Sequence, residues 1–215
     1  MSSEESLRRA RVVLLVLSFM VASAGLASAQ AEGEADSSTA APRVVVQDTV
    51  EQVLAVLAAP GLDQSQRRAR IETLAFSVFD FETVSRLVMA RNWKKLDKAQ
   101  RSAFVQEFKQ YLSRNYGRRL ERYEEAQVEV LGTRSEPRRD VTVLTRVVGG
   151  QYDGITMNYR LRERKSSWKV IDVVIEGVSM LANFRAQFAE VVSREGVDGL
   201  LEAIRTRNLV PDPAD

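Results

Sequence analysis

Two carboxylates in the C-terminal half are the acidic side chains best placed for unusual chemistry. Asp172 and Glu176 lie in or beside the apolar segment 168–175. A carboxyl group buried among apolar side chains has a raised pKa and can act as a general acid. The alternative is structural, with Asp172 accepting a hydrogen bond or pairing with an arginine and Glu176 capping the turn before Val178. We favour the structural interpretation and predict no catalytic residue.

The composition excludes several other kinds of chemistry. The 215 residues include no His and no Cys. The chain therefore has no Ser-His-Asp triad, no Cys nucleophile, no disulfide and no imidazole or thiolate metal site. It also carries no glycine-rich phosphate loop and no zinc-protease or nucleophile-elbow motif. We expect no metal, no cofactor and no enzymatic activity.

Arginines form two clusters, Arg138-Arg139 and the alternating Arg160, Arg162 and Arg164. Such clusters can meet phosphates or an acidic partner, and the alternative is a solvated strand edge. With 31 Lys+Arg against 29 Asp+Glu the net charge is +2. That balance argues against nucleic-acid binding by bulk charge, which needs a clustered excess of basic residues. We predict no nucleic-acid partner and take Arg160 and Arg162 as candidates for docking to a protein partner.

The N-terminus has the pattern of an export signal. Three arginines within residues 8–11 precede an apolar run over 12–26, and residues 27–29 read Ala-Ser-Ala. Small residues at these positions are typical of a signal-peptidase site. We predict a cleaved signal peptide over 1–29, with an uncleaved anchor as the alternative. In a bacterium this predicts a periplasmic protein.

Helical spacing of apolar residues dominates the first half of the mature chain. Residues 30–42 show no apolar period and are predicted to be a disordered leader. Four helices are predicted after this leader. The first covers 44–57, and the others begin at Asp63, Asp80 and Asp97. Asp63 and Asp97 are each followed three residues later by Gln, the spacing of a capping box.

The apolar period changes from 3.6 to 2 after residue 125. Four strands are predicted, over 128–133, 141–148, 155–161 and 168–175. Their short connections require antiparallel neighbours. The helical period then returns over 178–204, with a break at Gly196. We predict an α+β fold, a twisted antiparallel sheet of about four strands with helices packed on one face, forming a single domain over 43–208 before a flexible tail at 209–215.

The segment Trp168 to Met180, which ends in Glu-Gly-Val-Ser-Met, resembles the MlaC family of periplasmic phospholipid-binding proteins. The family is also described as toluene-tolerance auxiliary components of ABC transporters. The stretch 183–188, Asn-Phe-Arg-Ala-Gln-Phe, is similar to the family's Asn-Tyr-Arg-Ser-Gln-Phe. The resemblance covers about residues 43–208. One departure is Met89-Ala90, where the family usually shows Leu-Gly.

This resemblance implies a soluble, monomeric carrier with glycerophospholipid as cargo. Family members move lipid between an outer-membrane lipoprotein–porin complex and an inner-membrane ABC transporter with an MCE-domain ring, which maintains outer-membrane lipid asymmetry. Their acyl chains occupy a deep apolar cavity between the sheet and the helices. Two alternatives remain, a non-catalytic periplasmic adaptor without lipid and an enzyme that uses Asp172 with a second carboxylate.

Alternation along the strands selects candidate residues for such a cavity. Side chains two apart share a face of a strand, and Arg160 and Arg162 should point away from this face. Val178 is selected because it is predicted to begin the last long helix where the chain leaves the sheet. Phe108 and Phe184 are added because the helical stripes supply further apolar surface. The predicted lipid-binding residues are Val143, Val147, Ile155, Met157, Tyr159, Val178, Phe108 and Phe184.

Overall fold

The computed structural model describes residues 37–120, 126–165 and 167–206. The predicted signal peptide (1–29), the first part of the predicted leader and the predicted tail (209–215) lie outside these residues. Five helices are described: α1 (Ser37–Ala58), α2 (Gln64–Val78), α3 (Phe81–Met89), α4 (Lys98–Leu120) and α5 (Met180–Thr206). Five strands lie between α4 and α5: β1 (Gln127–Ser135), β2 (Val141–Val148), β3 (Met157–Arg164), β4 (Ser167–Ile175) and β5 (Val178–Ser179). None of the helices within the described ranges is long and apolar enough to span a membrane.

Helix α1 begins earlier than predicted. It starts at Ser37, so residues 37–42 are helical and not part of a disordered leader. Sequence periodicity missed this turn because residues 37–41 contain no large apolar side chain. Pro42 lies inside the helix and is buried. Helix α1 is therefore longer at its N-terminal end than the apolar pattern predicts.

Aspartates cap the starts of α2, α3 and α4, and both predicted capping boxes are present. The Asp63 carboxylate accepts from the Gln66 amide at 2.9 Å, and the Gln66 side chain accepts from the Asp63 amide at 3.1 Å. Asp97 and Gln100 repeat this arrangement at 2.8 and 3.1 Å. Asp80 accepts from the backbone amide of the third helical residue of α3 at 2.9 Å. These contacts satisfy amides that the helices leave free, so the helix starts follow from local sequence.

Helix α3 ends at an alanine in a strained conformation. Ala90 has φ 47° and ψ −121°, and a 3₁₀ turn over Ala90–Lys95 follows it. A side chain at positive φ costs about 1–3 kcal/mol, whereas glycine adopts this region freely. We expect Ala90→Gly to raise the free energy of unfolding by about 1 kcal/mol after the added flexibility of the unfolded chain is subtracted. Urea denaturation measures this change, and a loss of stability would contradict it.

The sheet is a meander in which strand order follows chain order, from β1 to β5, and all neighbours are antiparallel. The α+β prediction is confirmed, with five strands where about four were expected. The extra strand forms because Glu176 and Gly177, at φ 49° and 80°, make a two-residue turn. Two positive φ values suit a tight hairpin of this kind. Val178 consequently lies in β5 and not at the start of α5.

Register places apolar residues of four strands on one face of the sheet. Val143 lies opposite Tyr159, and Val147 lies opposite Val128. Leu161 lies opposite a valine of β4, and a register shift interrupts the β3–β4 pairing beside it. Arg160 and Arg162 alternate with these side chains and therefore point to the other face. We call the first the apolar face and the second the arginine face.

The buried apolar side chains form two separate clusters. The sheet cluster joins Val46 of α1 to three buried residues of the apolar face, Val143, Leu161 and Val170. The helical cluster is larger and draws on α3, α4 and α5 together with Leu96 and Ile171. Its largest members are the phenylalanines Phe104, Phe108, Phe184 and Phe188. The helical cluster therefore supplies the main core, and the sheet cluster is a thinner layer under α1.

Candidate functional site

The seam between α1 and β1 contains a cavity of about 300 Å³. Its apolar wall consists of Val50 and Leu54 of α1 with Val128 and Val130 of β1. Its remaining lining is polar, from Arg43, Gln47, Glu51 and Gln127. Small-molecule sites span roughly 300–1,000 Å³, so the seam is at the small end of that range. An apolar wall with a polar rim suits a ligand that has an apolar body and a polar end.

Four of the predicted lipid-binding residues lie on or next to the apolar face. Val143 is fully buried in the sheet cluster, and Tyr159 is half-buried against it. Val147 is 1% exposed and faces Val128 across the strand pair, which brings it next to the seam. Met157 shares the face of Tyr159 and receives a hydrogen bond at sulfur from the Tyr159 hydroxyl at 3.2 Å. The structure thus brings these four residues together.

The other four predicted lipid-binding residues lie elsewhere or at the margin. Ile155 is half-buried before the start of β3, and its carbonyl accepts from the Val147 amide at 2.8 Å. Val178 is 56% exposed. Phe108 and Phe184 contact each other in the helical cluster, with ring centroids 5.2 Å apart in an edge-to-face arrangement. The phenylalanines are therefore separate from the seam.

Arg160 and Arg162 do not lie at a solvated edge of the sheet, because β3 is an interior strand and both side chains bind Asp140. Arg160 donates through Nε and one terminal nitrogen to one oxygen of Asp140, at 3.1 and 2.7 Å. Arg162 donates to both oxygens, at 2.6 and 2.8 Å. The Asp140 side chain is 0% exposed, whereas those of Arg160 and Arg162 are 34% and 19% exposed. The alternative of a solvated strand edge is therefore wrong for Arg160 and Arg162, and a docking role for them stays a prediction.

The environment of Asp140 determines its charge state. Burial raises the pKa of Asp140, but the hydrogen bonds and charges of Arg162 and Arg160 outweigh burial and bring the pKa below the ordinary value of 3.8. The same contact raises the pKa of Arg162. The pKa of Asp80 is also below its ordinary value. Burial raises this pKa, but the hydrogen bonds from Thr83 and Arg164 together lower it by more. These carboxylates are ionised in the folded protein at neutral pH.

Acid should remove the stability that these carboxylates provide. A carboxylate whose pKa is lower in the folded state stabilises the fold above its unfolded pKa, and that stability is lost as pH falls through the folded pKa. We therefore expect the melting temperature to fall below about pH 4 as the unfolded chain begins to take up protons. Thermal unfolding followed by circular dichroism from neutral pH downward measures this. An Asp140→Asn variant should show a shallower fall, and an unchanged pH dependence in that variant would contradict the assignment.

The two carboxylates considered for catalysis both have structural partners. Asp172 accepts from the Ser179 hydroxyl at 2.6 Å and from the Leu181 amide at 2.9 Å. Glu176 accepts from the Thr156 amide at 2.5 Å and from its hydroxyl at 2.9 Å. Asp172 thereby caps the start of α5, and Glu176 holds the β4–β5 turn against the chain before β3. Within the described ranges, no three acidic side chains are grouped as a metal site would require.

Sequence reasoning missed the seam and Asp140. Val50 and Leu54 were part of a recognised helical stripe, and Val128 and Val130 were part of a recognised alternation. Nothing in either pattern tells which helix covers which strand. Asp140 follows two arginines in a connection, where a charged residue is usually solvated. Its burial depends on β3 placing two guanidinium groups beside it.

The geometry defines an α+β protein whose antiparallel sheet has one apolar and one arginine-bearing face. The chain belongs to the MlaC family, because residues 47–206 match the family described as MlaC protein. A curated relative, toluene tolerance protein ttg2D of Pseudomonas putida, is 27% identical over 122 residues, which cover 56% of this chain and 57% of the relative. The match therefore spans a little over half the length of that relative.

A solved structure extends the comparison to nearly the whole length of a second protein. It is a phospholipid-binding protein from Ralstonia solanacearum, in complex with a phospholipid. The two folds superpose with a TM-score of 0.69 at 26% sequence identity, over 77% of this chain and 96% of the other. The fold described above is thus the one on which that protein holds its lipid.

Proposed function

We propose that this protein is a periplasmic phospholipid carrier. It takes glycerophospholipid between an outer-membrane lipoprotein–porin complex and an inner-membrane ABC transporter with MCE domains, and so maintains outer-membrane lipid asymmetry. The observation that carries the proposal is the likeness to a solved phospholipid complex over 96% of that chain. Family membership over residues 47–206 supports it. Export would follow from cleavage after Ala29, and N-terminal sequencing of periplasmic protein should return Gln30.

The apolar face under α1 is the proposed place for the acyl chains. It combines the seam with the half-buried side chains around the sheet cluster, so a chain inserted there meets apolar surface on both sides. Met157 and Tyr159 are half-buried on this face, whereas Val143 and Val147 would contact the lipid once α1 moves away from the sheet. Ile155 and Val178 are proposed to lie near the cavity rim, and Phe108 and Phe184 would contact lipid only after the helical cluster opens.

Energetics set the demands on such a site. Exposing one acyl chain of about 15 carbons to water costs on the order of 12 kcal/mol, at about 0.8 kcal/mol per methylene. A carrier therefore needs a cavity about as apolar as a bilayer, and partners then set the direction of exchange. The seam volume of about 300 Å³ lies at the lower limit for drug-sized ligands, so a diacyl lipid requires α1 to move away from β1.

Extraction of the purified protein tests the carrier proposal. The full chain is expressed with export, purified from the periplasm, extracted with organic solvent and analysed by mass spectrometry. We expect phospholipid in amounts comparable to the protein. An unrelated periplasmic protein of similar size, purified in the same way, is the control. Phospholipid no higher than in this control would overturn the proposal.

A lipid-free adaptor of the transporter is the second candidate. The observation that favours it is the dense packing of the helical cluster, where Phe104, Phe108 and Leu200 are 0% exposed. An adaptor would give no lipid in the extraction experiment while still binding the transporter. The same measurement therefore separates the two candidates.

A further inference from the structure

The arginine face of the sheet borders a second cavity, of about 280 Å³. Its walls come from β3 and β4, from the end of α3 and from the first turns of α5. Four arginines line it: Arg138, Arg160, Arg162 and Arg185. This cavity, the arginine pocket, lies on the face opposite to the seam under α1, so the two cavities are distinct.

Positive charge in the arginine pocket exceeds the negative charge that balances it. Asp172 is the one carboxylate among the lining residues, and both of its oxygens already accept hydrogen bonds. Asp140 lies buried behind Arg160 and Arg162. Among the residues that the structure describes, four guanidinium charges thus face two carboxylates, so two positive charges have no counterion there.

Acidic residues near the pocket do not remove this excess. The charge of Arg160 lowers the pKa of Glu136, but Glu136 itself binds Arg134 at 2.7 Å. Asp80 acts on Arg162 at longer range, but it binds Arg164 at 2.8 Å. Each of these carboxylates is therefore neutralised by an arginine that does not line the pocket.

The pocket arginines keep free hydrogen-bond donors. Arg160 and Arg162 each use two N–H groups on Asp140, out of the five that a guanidinium has. Arg185 donates through Nε to the Leu87 carbonyl at 3.0 Å. Arg138 is exposed and has no hydrogen bond or ion pair with any described residue. Asp140 and Leu87 thus hold three of the arginines in place while other donors remain available.

Guanidinium groups recognise phosphate oxygens through paired, charge-assisted hydrogen bonds. Two uncompensated charges and several unused donors match a phosphate-type group better than a single carboxylate. We propose that the arginine pocket binds a phosphate-type anion, either free phosphate or the phosphate of a lipid head group. The free-phosphate case is independent of the proposed carrier function. The head-group case rests on phospholipid binding, but it requires a second lipid position, because a lipid whose acyl chains occupy the seam lies on the other face of the sheet.

Titration calorimetry with three probes tests the pocket in the mature full chain. The probes are inorganic phosphate, dihexanoyl phosphatidylglycerol below its micelle concentration, and dihexanoylglycerol, which lacks phosphate. The variant R138Q/R185Q removes the two pocket arginines that have no carboxylate partner in the described part of the chain, so the fold should be retained. The control R70Q/R91Q removes equal charge from exposed arginines outside the pocket.

We expect R138Q/R185Q to weaken binding of at least one phosphate-containing probe by about tenfold or more, and R70Q/R91Q to change it by less than about twofold. A tenfold loss for inorganic phosphate identifies a soluble anion as the ligand. A loss confined to phosphatidylglycerol, with dihexanoylglycerol binding unchanged, identifies a lipid head group.

If neither phosphate probe binds, or both variants behave alike, the proposal is wrong. R138Q alone, which loses no contact, repeats the test if the double variant melts early. Phospholipid extracted from each variant reports separately on the carrier function.

Discussion

Replacing Asp140 with Asn is expected to lower the free energy of unfolding by about 3–5 kcal/mol, because it removes one partner of a buried ion cluster. The Asp140 side chain is 0% exposed and accepts four hydrogen bonds from Arg160 and Arg162. The neutral amide leaves these guanidinium groups without the carboxylate that they bind directly. Urea denaturation followed by circular dichroism measures the loss.

Two further variants make this prediction specific. Asp48→Asn removes an exposed carboxylate of α1 that has no ion pair among the described residues, and it should change stability by less than about 0.5 kcal/mol. In a background that already carries Arg162→Gln, Asp140→Asn should cost clearly less than it does alone, because the two residues interact directly. Equal costs in both backgrounds, or a loss below about 1 kcal/mol for the single change, would contradict the role of Asp140.

Arginine in the α1–β1 seam is expected to abolish most phospholipid binding while leaving the protein folded. Leu54→Arg and Val128→Arg both enter a cavity with a polar rim, where the charged end can reach water and the stem can occupy acyl space. We expect the phospholipid extracted per mole of protein to fall by about tenfold at a nearly unchanged melting temperature. Val44→Arg is the matched control, because Val44 belongs to the same helix but is 53% exposed and does not line the seam.

Phe108→Arg provides the contrast for a packed core. Phe108 is 0% exposed among other phenylalanines, so an arginine there has no counterion and should unfold the protein. If the seam variants also unfold, the seam is ordinary core. If the seam variants fold and carry as much phospholipid as the parent protein, the acyl chains lie elsewhere. The carrier function would then still stand.

Local signals in the sequence predicted most of the fold. Asp63, Asp80 and Asp97 predicted three helix starts because capping depends on residues only three positions apart. The bounds of β2 match its prediction over 141–148, because β-branched residues end at a Gly-Gly pair there. Strand β5 was missed because two residues are too few to show a period, although Glu176-Gly177 is a recognisable turn.

The site was less predictable because it depends on contacts between distant segments. Alternation correctly put Arg160 and Arg162 on the face opposite to Tyr159, yet it contained no information about Asp140. Alternation of side chains along a strand tells which face of the sheet a residue occupies. It does not tell which residue of another segment lies against that face. For the same reason, Phe108 and Val143 were grouped in one predicted cavity, although the structure places them in the helical cluster and the sheet cluster.

Strand order that follows chain order has a consequence for how the chain folds. Each neighbouring pair from β1 to β5 is joined by a short connection, so the sheet can assemble one hairpin at a time at a low cost in loop entropy. The helical cluster is different, because Phe108 precedes the whole sheet and Phe184 follows it. Contacts between α4 and α5 therefore close a loop that contains the whole sheet, and the contact of Val46 with Val170 in the sheet cluster closes a longer one. We expect the meander to form early and the docking of the helices on it to follow.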